Sequence, residues 1–316
     1  MRSSETALRL LVAGLCLATC SCGGGDHVAS ASTAPAPAAA SYDSFVGLNK
    51  NVTLPTTSTA VSYRYNTFNG TIPGSVTRDP KGGFGDGGIT ISYDAPTQTY
   101  TVHDGATAVS YAPGDKVAGD ASATPFDTYS PRQNSLGATI SAYRAGNGNT
   151  QFPQLSYATF VVVRRGSATT VAGVSDANVD ARLIYAIGGF ETQRSDLPKT
   201  GTASYSTFVA GTAVQTVEQS AGRDIGGTAT ITADFDKASV STALALSYNG
   251  QSIGSFNGAA PIESATSHFK GDLTAGSATQ GSFSGSFFGP QATEVGYTYR
   301  VQTSLGVVDG GVVGKK

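Results

Sequence analysis

GSFSGSFFGPQATEVGYTYRVQTSLGVVDGGVVGKK, residues 281–316, decides the fold. Phe283, Gly285 and Phe287 share one parity and Ser282, Ser284 and Ser286 the other, the two-residue period of a strand with one buried and one wet face. Gly289-Pro290 interrupts that strand, because proline cannot donate to a ladder and glycine permits a sharp turn. Val295, Tyr297, Tyr299 and Val301 then resume the alternation against Thr298, Arg300 and Gln302, and a last short run from Gly306 to Gly314 precedes two lysines. The segment reads as three consecutive antiparallel strands.

Working upstream, the same period recurs back to Pro198. Eight candidate strands fall near 202–213, 226–236, 239–248, 252–256, 268–275, 281–288, 295–303 and 307–313. Ile231, Ala233 and Phe235 oppose Thr230, Thr232 and Asp234; Val240, Leu244 and Leu246 oppose Ala243 and Ala245. Each strand thus supplies one apolar row. Eight such strands close into a barrel just wide enough for side chains to fill, and closure removes the edges that invite aggregation. A packed interior is therefore expected, ahead of a ligand cavity.

Residues 43–196 give shorter alternating runs divided by turn residues, and the expected fold class is all-β throughout. Gly88-Ile-Thr-Ile-Ser-Tyr93 and Tyr100-Thr-Val-His103, joined across Asp94-Ala-Pro, read as a hairpin closed by Asp104-Gly105. YATFVVVRR, residues 157–165, is the most apolar strand, and Arg164 and Arg165 read as a solvated strand end. Residues 124–134, TPFDTYSPRQN, read as a loop by composition. At most one short helical turn is expected.

All three cysteines, Cys16, Cys20 and Cys22, lie in the first twenty-two residues. Arg2 and Arg9 stand at the N-terminal side of a short apolar run, 8–17, that is too short to span a bilayer and suits a secretory signal. It ends in L-A-T-C-S-C-G-G-G, where a cysteine after small residues is the acceptor used by bacterial lipoprotein processing. Cys22, with Ser21 before it and a glycine run after it, is favoured as the lipidated residue; Cys20, with Leu17 three places upstream, is the alternative, and cleavage without a lipid is a third reading. Multiple acyl chains of the palmitate kind make a firm anchor where one does not. Residues 23–40 are small residues and proline without period, a composition that cannot offset its ordering entropy. The expected division is a signal peptide over 1–21, a flexible tether over 22–42, a β-rich domain over 43–196 and a barrel over 197–316.

Composition excludes several classes. Twenty basic against twenty-two acidic residues give a net charge of −2, with no basic patch to recommend nucleic acid as a partner. Gly83, Gly85 and Gly88 satisfy G-x-G-x-x-G, but a strand follows where a dinucleotide site needs a helix, so they read as a turn. Gly250-Gln-Ser252-Ile-Gly254 has nucleophile-elbow spacing, yet Asn249-Gly250 is better read as a hairpin turn. Of the histidines, His27 lies in the tether, and His103 and His268 fall in different domains with no ligand cluster around either. No metal site is expected; His103, ending a strand beside a loop, is the one candidate axial ligand should haem be the cofactor.

The pattern G-S-F-S-G-S-F-F-G-P-x-A-x-E-V-G followed by a closing G-K-K resembles the last barrel strands of the transferrin-binding protein B family of bacterial surface lipoproteins, whose barrel is related to that of factor H binding protein. Residues 188–211 resemble that family's entry into the barrel, with Leu197-Pro198 followed by Gly201-Thr-Ala-Ser-Tyr205. The resemblance implies one lobe, a handle-like domain over 43–196 packed beside the barrel, and anchorage to the outer membrane with surface exposure. It implies a non-enzymatic binding role in iron or haem acquisition or host-factor binding, with a protein, haem or iron-carrier ligand and a TonB-dependent receptor as partners. Binding surfaces on such scaffolds sit on loops, which makes Phe126 and Tyr129 in the 126–131 stretch, and the glycine-rich 81–88 stretch, the ligand-contact candidates. The rival readings are a structural or adhesive surface lipoprotein and a secreted β-rich hydrolase, and a periplasmic orientation is left open.

Overall fold

Strict alternation along residues 229–246 produces the expected ribbon. Ala229, Ile231 and Ala233 on one strand and Val240, Thr242, Leu244 and Leu246 on the next are buried on one face, while the residues alternating with them along each strand are more exposed. In the computed structural model, which describes residues 40–66, 75–78, 89–118, 124–131, 137–146, 148, 150–170, 177–214 and 222–316, this ribbon belongs to a closed antiparallel barrel. Its strands are β10 (Thr202–Val214), β11 (Arg223–Asp234), β12 (Ser239–Tyr248), β13 (Gln251–Pro261), β14 (His268–Ala275), β15 (Ala278–Phe288), β16 (Glu294–Thr303) and β17 (Gly306–Lys315), with β17 returning to pair with β10. The β12–β13 turn is Asn249-Gly250 with φ of 49° and 77°, the pair of positive angles that a two-residue type I′ hairpin demands. The elbow spacing around Ser252 is thus a hairpin. Gly289-Pro290 breaks β15 as expected, and Pro290–Ala292 forms a 3₁₀ turn.

Side chains fill the barrel. Phe256, Phe269, Phe283, Phe287, Tyr297 and Tyr299 are all buried inside it among the smaller aliphatics, with Phe283 and Tyr297 edge to face at 5.3 Å. Each large side chain so buried stabilises the fold by about 1.5–3 kcal/mol. The Tyr299 ring fits because it crosses backbone that carries no side chain: a Cβ on Gly310 or Gly211 would come within 2.5 or 2.6 Å of its hydroxyl end.

A second, curled sheet precedes the barrel. Its strands are β1 (Val52–Asn66), β2 (Ser75–Arg78), β3 (Thr90–Asp94), β4 (Thr99–Asp104), β5 (Thr107–Tyr111), β6 (Phe126–Tyr129), β7 (Thr139–Tyr143), β8 (Ala158–Thr170) and β9 (Ala177–Gly189). They run in the order β5-β4-β3-β1-β9-β8-β7-β6, with β2 on β1. The expected hairpin is β3–β4, with Tyr93 opposite Tyr100. Ile91, Val102, Val109, Ile140, Val161, Val163 and Ile184 pack on its concave side. Arg165 is not a solvated strand end: with Arg182 it is paired to Asp104, and its side chain is largely buried.

The segment expected as a loop over 124–134 contains a strand. Pro125 and Pro131 bracket Phe126-Asp-Thr-Tyr129, and the turn-forming residues describe only the flanks. The four residues between them pair on one side with β7. On the other side they meet the chain after β5, where Val117 N–H donates to Thr128 O at 2.8 Å and Ser130 N–H to Asp115 O at 2.9 Å.

The serine face of β15 is wet only at Ser282, which is exposed. Ser284 and Ser286 are 3% and 0% exposed, as are Thr298 (3%) and Asp309 (1%) on the neighbouring strands, because the curled sheet lies against this wall. Thr57 Oγ1 bonds both Ser284 O (3.1 Å) and Thr298 Oγ1 (3.0 Å). Arg300 Nε holds Asp309 at 2.6 Å, and Thr59 Oγ1 donates to the same carboxylate at 2.6 Å. Around these polar groups Val61, Leu155, Phe160, Tyr185 and Ile187 from the sheet meet Val214, Phe288 and Val313 from the barrel. Glu294, wholly buried, accepts the backbone N–H groups of Ser156 (2.7 Å), Tyr157 (2.8 Å) and Ala158 (2.8 Å), with Lys315 Nζ 3.6 Å away. The glutamate of the E-V-G motif is therefore the clasp that fixes the start of β8 to the barrel.

Candidate functional site

The two ends of the curled sheet come together through tyrosines. Hairpin register sets Tyr93 opposite Tyr100 and Tyr100 opposite Tyr111, and their ring centroids are 4.5 and 5.5 Å apart. Curling brings Tyr111 on β5 within 4.8 Å of Tyr129 on β6. Each such aromatic pair adds about 0.5–1.5 kcal/mol beyond area burial. Behind this ladder lies a cavity of about 130 Å³, lined by Phe45, Ile91, Tyr100, Tyr111, Tyr129 and Tyr143 together with Asp127, Arg144 and Thr159.

One charge cluster borders the cavity. Asp127 Oδ1 is 2.9 Å from Arg144 Nε, and Lys116 Nζ lies 2.9 Å from Asp127 Oδ2. Burial pushes the Asp127 pKa up, but hydrogen bonds from Arg144 and Lys116 outweigh it, and the carboxyl sits below its usual range. Burial drives the Tyr111 phenol well above its ordinary value, with Tyr100 and Tyr129 adding to the effect. Tyr129 is raised for the same reason, with Asp127 reinforcing it. These phenols stay protonated and able to donate across the physiological range. The hydroxyl of Tyr93 donates to Leu48 O and that of Tyr143 to Pro153 O; among the described residues none bonds the hydroxyls of Tyr100, Tyr111 or Tyr129.

Phe126 and Tyr129 lie on one short strand and face opposite ways. Phe126 packs among Tyr143, Phe160 and Phe208 in the contact with the barrel, whereas Asp127 and Tyr129 line the cavity. His103 is elsewhere: it alternates with the buried Val102 on β4, on the face away from the cavity, with Nε2 2.9 Å from Ser92 Oγ. The signal and tether cysteines Cys16, Cys20 and Cys22, and the 81–88 glycine stretch, lie outside the described residues. Missing from the sequence-based candidates were Tyr100, Tyr111, Lys116 and Arg144. The hairpin register carried part of that signal, since it stacks Tyr93 on Tyr100; the approach of β5 to β6 is set by curvature that local pattern does not encode.

Chemistry at other clusters is limited. His268 Nε2 is 2.7 Å from Glu191 Oε2 and its Nδ1 is 3.8 Å from Glu263, but Ser252 starts β13 and His268 starts β14, next to the far end of β13 where Ile262 bridges Phe269. Ten residues of strand put about 30 Å between them. No group of three or more metal-ligating side chains occurs among the described residues.

No curated protein matches the chain. Solved structures do. Transferrin-binding protein B isotype 1 from serogroup B Neisseria meningitidis is 15% identical over 82% of this chain and 43% of its own, with a TM-score of 0.41. A transferrin-binding protein B variant from Actinobacillus pleuropneumoniae H49 is 13% identical over 83% of this chain and 99% of its own, at 0.40. The N-lobe domain of lactoferrin-binding protein B of Moraxella bovis is 14% identical over 50% of this chain and 75% of its own, at 0.33. The assignment rests on the barrel itself: residues 197–315 match the family described as the C-lobe and N-lobe beta barrels of Tf-binding protein B. They coincide with the eight-stranded closed barrel and the Leu197-Pro198 entry to it, and it is this segment of the chain that matches the transferrin-binding protein B barrel family.

Proposed function

We propose that the chain is a lipid-anchored outer-membrane binding protein, exposed at the cell surface, that recognises a protein or solute ligand without catalysis. The observation that carries the reading is the family match of residues 197–315. The relatives' names point to host iron carriers, transferrin and lactoferrin, as the first ligands to try. In this reading Cys22, or Cys20 in its place, bears the acyl chains, residues 23–40 hold the folded part off the membrane, and a TonB-dependent receptor is the partner for uptake. The curled sheet supplies the recognition surface. Its clasp to the barrel through Glu294 presents that surface rigidly, which limits the ordering entropy lost on binding.

The test combines labelling with capture. Cells expressing the full chain incorporate an alkyne-palmitate analogue; Cys22→Ala abolishes labelling if Cys22 is the acceptor, and Cys20→Ala does so if Cys20 is. Immobilised protein is then offered transferrin, lactoferrin, haemoglobin and haem. Saturable retention of one of these supports the iron-acquisition reading. Labelled, surface-exposed protein that retains none of them removes that reading.

A further inference from the structure

We infer that the outer wall of the barrel at β13 and β14 is a contact surface for a second copy of this chain, paired through Lys270 and Asp272 about a twofold axis. The wall carries an open groove of about 720 Å³, whose sides include Asn257, Ala259, Pro261, Lys270, Asp272 and Thr274. The groove follows from a short seam. β13 and β14 pair regularly only from Asn257 to Ala259; Pro261 has no N–H with which to continue the ladder, and a bridge from Ile262 to Phe269 closes it. The curled sheet does not cover this wall, because its contact with β15 reaches Ser284 and leaves Ser282 exposed.

Charge identifies the occupant. Lys270 and Asp272 are both exposed, and among the described residues neither side chain has an ion-pair or hydrogen-bond partner. Elsewhere on the barrel surface an exposed lysine does find its acid, as Lys237 Nζ finds Asp234 Oδ2 at 2.6 Å. On β14 the two charges stand on the same face with Gly271 between them, so their Cα atoms are about 6.8 Å apart. A twofold axis lying in the contact plane, across β14 at Gly271, reverses the strand. It sets Lys270 against the partner's Asp272 and Asp272 against the partner's Lys270. The wall is thereby self-complementary, which a face carrying one sign of charge is not.

Shape agrees with charge. By the β13–β14 register the same axis sets Ala259 against the partner's Pro261, two uncharged residues. Ala243 and Ala245, the next outward positions on β12, are short enough to let two walls approach to the ~10 Å spacing of packed sheets, a gap that a lysine and an aspartate bridge together. A small molecule is a poorer occupant, since no aromatic side chain lines the groove to hold one. The contact asks nothing of the lipid anchor or of an iron carrier.

The experiment is sedimentation equilibrium of the full-length chain in mild detergent, carried to ~1 mM because contacts at the small end of the size range are weak. The parent should show a monomer–dimer equilibrium that weakens as salt is raised. Lys270→Asp and Asp272→Lys each bring like charges face to face and should weaken dimerisation about tenfold or more; both positions are exposed, so the thermal melts should match the parent's. An equimolar mixture of the two variants should recover the dimer, and so should the double variant Lys270→Asp with Asp272→Lys. Association through the N-terminal segment would respond to neither charge. A parent that stays monomeric, a dimer indifferent to the single variants, or failure of either the mixture or the double variant to recover overturns the inference. Retention of an iron carrier by a strictly monomeric chain would leave the binding role standing without this contact.

Discussion

The ring of Phe160 lies 2.7 Å from the point that a Cβ on Gly311 would occupy. Phe160 is fully buried on β8 and Gly311 sits in the middle of β17, so a ring of the curled sheet is seated on bare barrel backbone. Gly311→Ala must displace a ring that has no room to move. Overpacking of this kind costs about 1–3 kcal/mol, and the midpoint of urea unfolding should fall accordingly with an unchanged slope. A variant as stable as the parent would mean the two bodies are not in this contact in solution.

Arg300 and Asp309 are coupled at the same wall. Arg300→Met leaves a carboxylate that is 1% exposed without its guanidinium, and breaking a buried pair from one side costs about 3–5 kcal/mol. The double substitution Arg300→Met with Asp309→Leu should lose less than the single one, because no buried charge remains. Chemical denaturation of both variants checks the order.

Glu294 gives a pH dependence of known sign. Burial raises its pKa above the ordinary 4.5, although the amides of Ala158, Tyr157 and Ser156 and the Lys315 ammonium work in the other direction. A carboxyl raised on folding contributes stability that is fully present below pH 4.5 and is lost as pH rises through its folded value. Glu294→Gln keeps one acceptor oxygen but turns an NH₂ toward backbone donors, at a cost of about 1–3 kcal/mol for each amide left bare. The gap between parent and variant should therefore be widest at acid pH and narrow above it, as followed by unfolding midpoints across the pH range.

Asp127 behaves in the opposite sense. Its pKa is held below 3.8 by Arg144 and Lys116 in spite of burial, so its contribution is present above pH 3.8 and disappears as pH falls through the folded value. Asp127→Asn should be less stable than the parent at neutral pH and indistinguishable from it in strong acid. A constant difference across that window would show that the loss is one of packing alone.

The barrel was legible because its signal is local. Alternation of the Ile231 and Leu244 kind, an Asn-Gly turn and a Gly-Pro break each dictate geometry within a few residues. What stayed hidden depends on a second surface. Ser284 and Thr298 look like solvent positions, and only the sheet packed against them makes them an interface. Phe126 to Tyr129 look like loop because their ladder partners lie at Asp115 and Val117 on one side and on β7 on the other, which no local pattern announces. Glu294 stood in the motif that suggested the family, yet its task as acceptor for three amides of β8 depends on residues more than a hundred positions away.

The bonds from Val117 to Thr128 and from Ser130 to Asp115 have an effect beyond shape. They occupy the outer rim of β6, so a neighbouring polypeptide cannot extend the sheet there by adding its own main chain. Whatever docks beside the tyrosines has to be chosen by its side groups, and that makes selectivity at this rim tunable one substitution at a time.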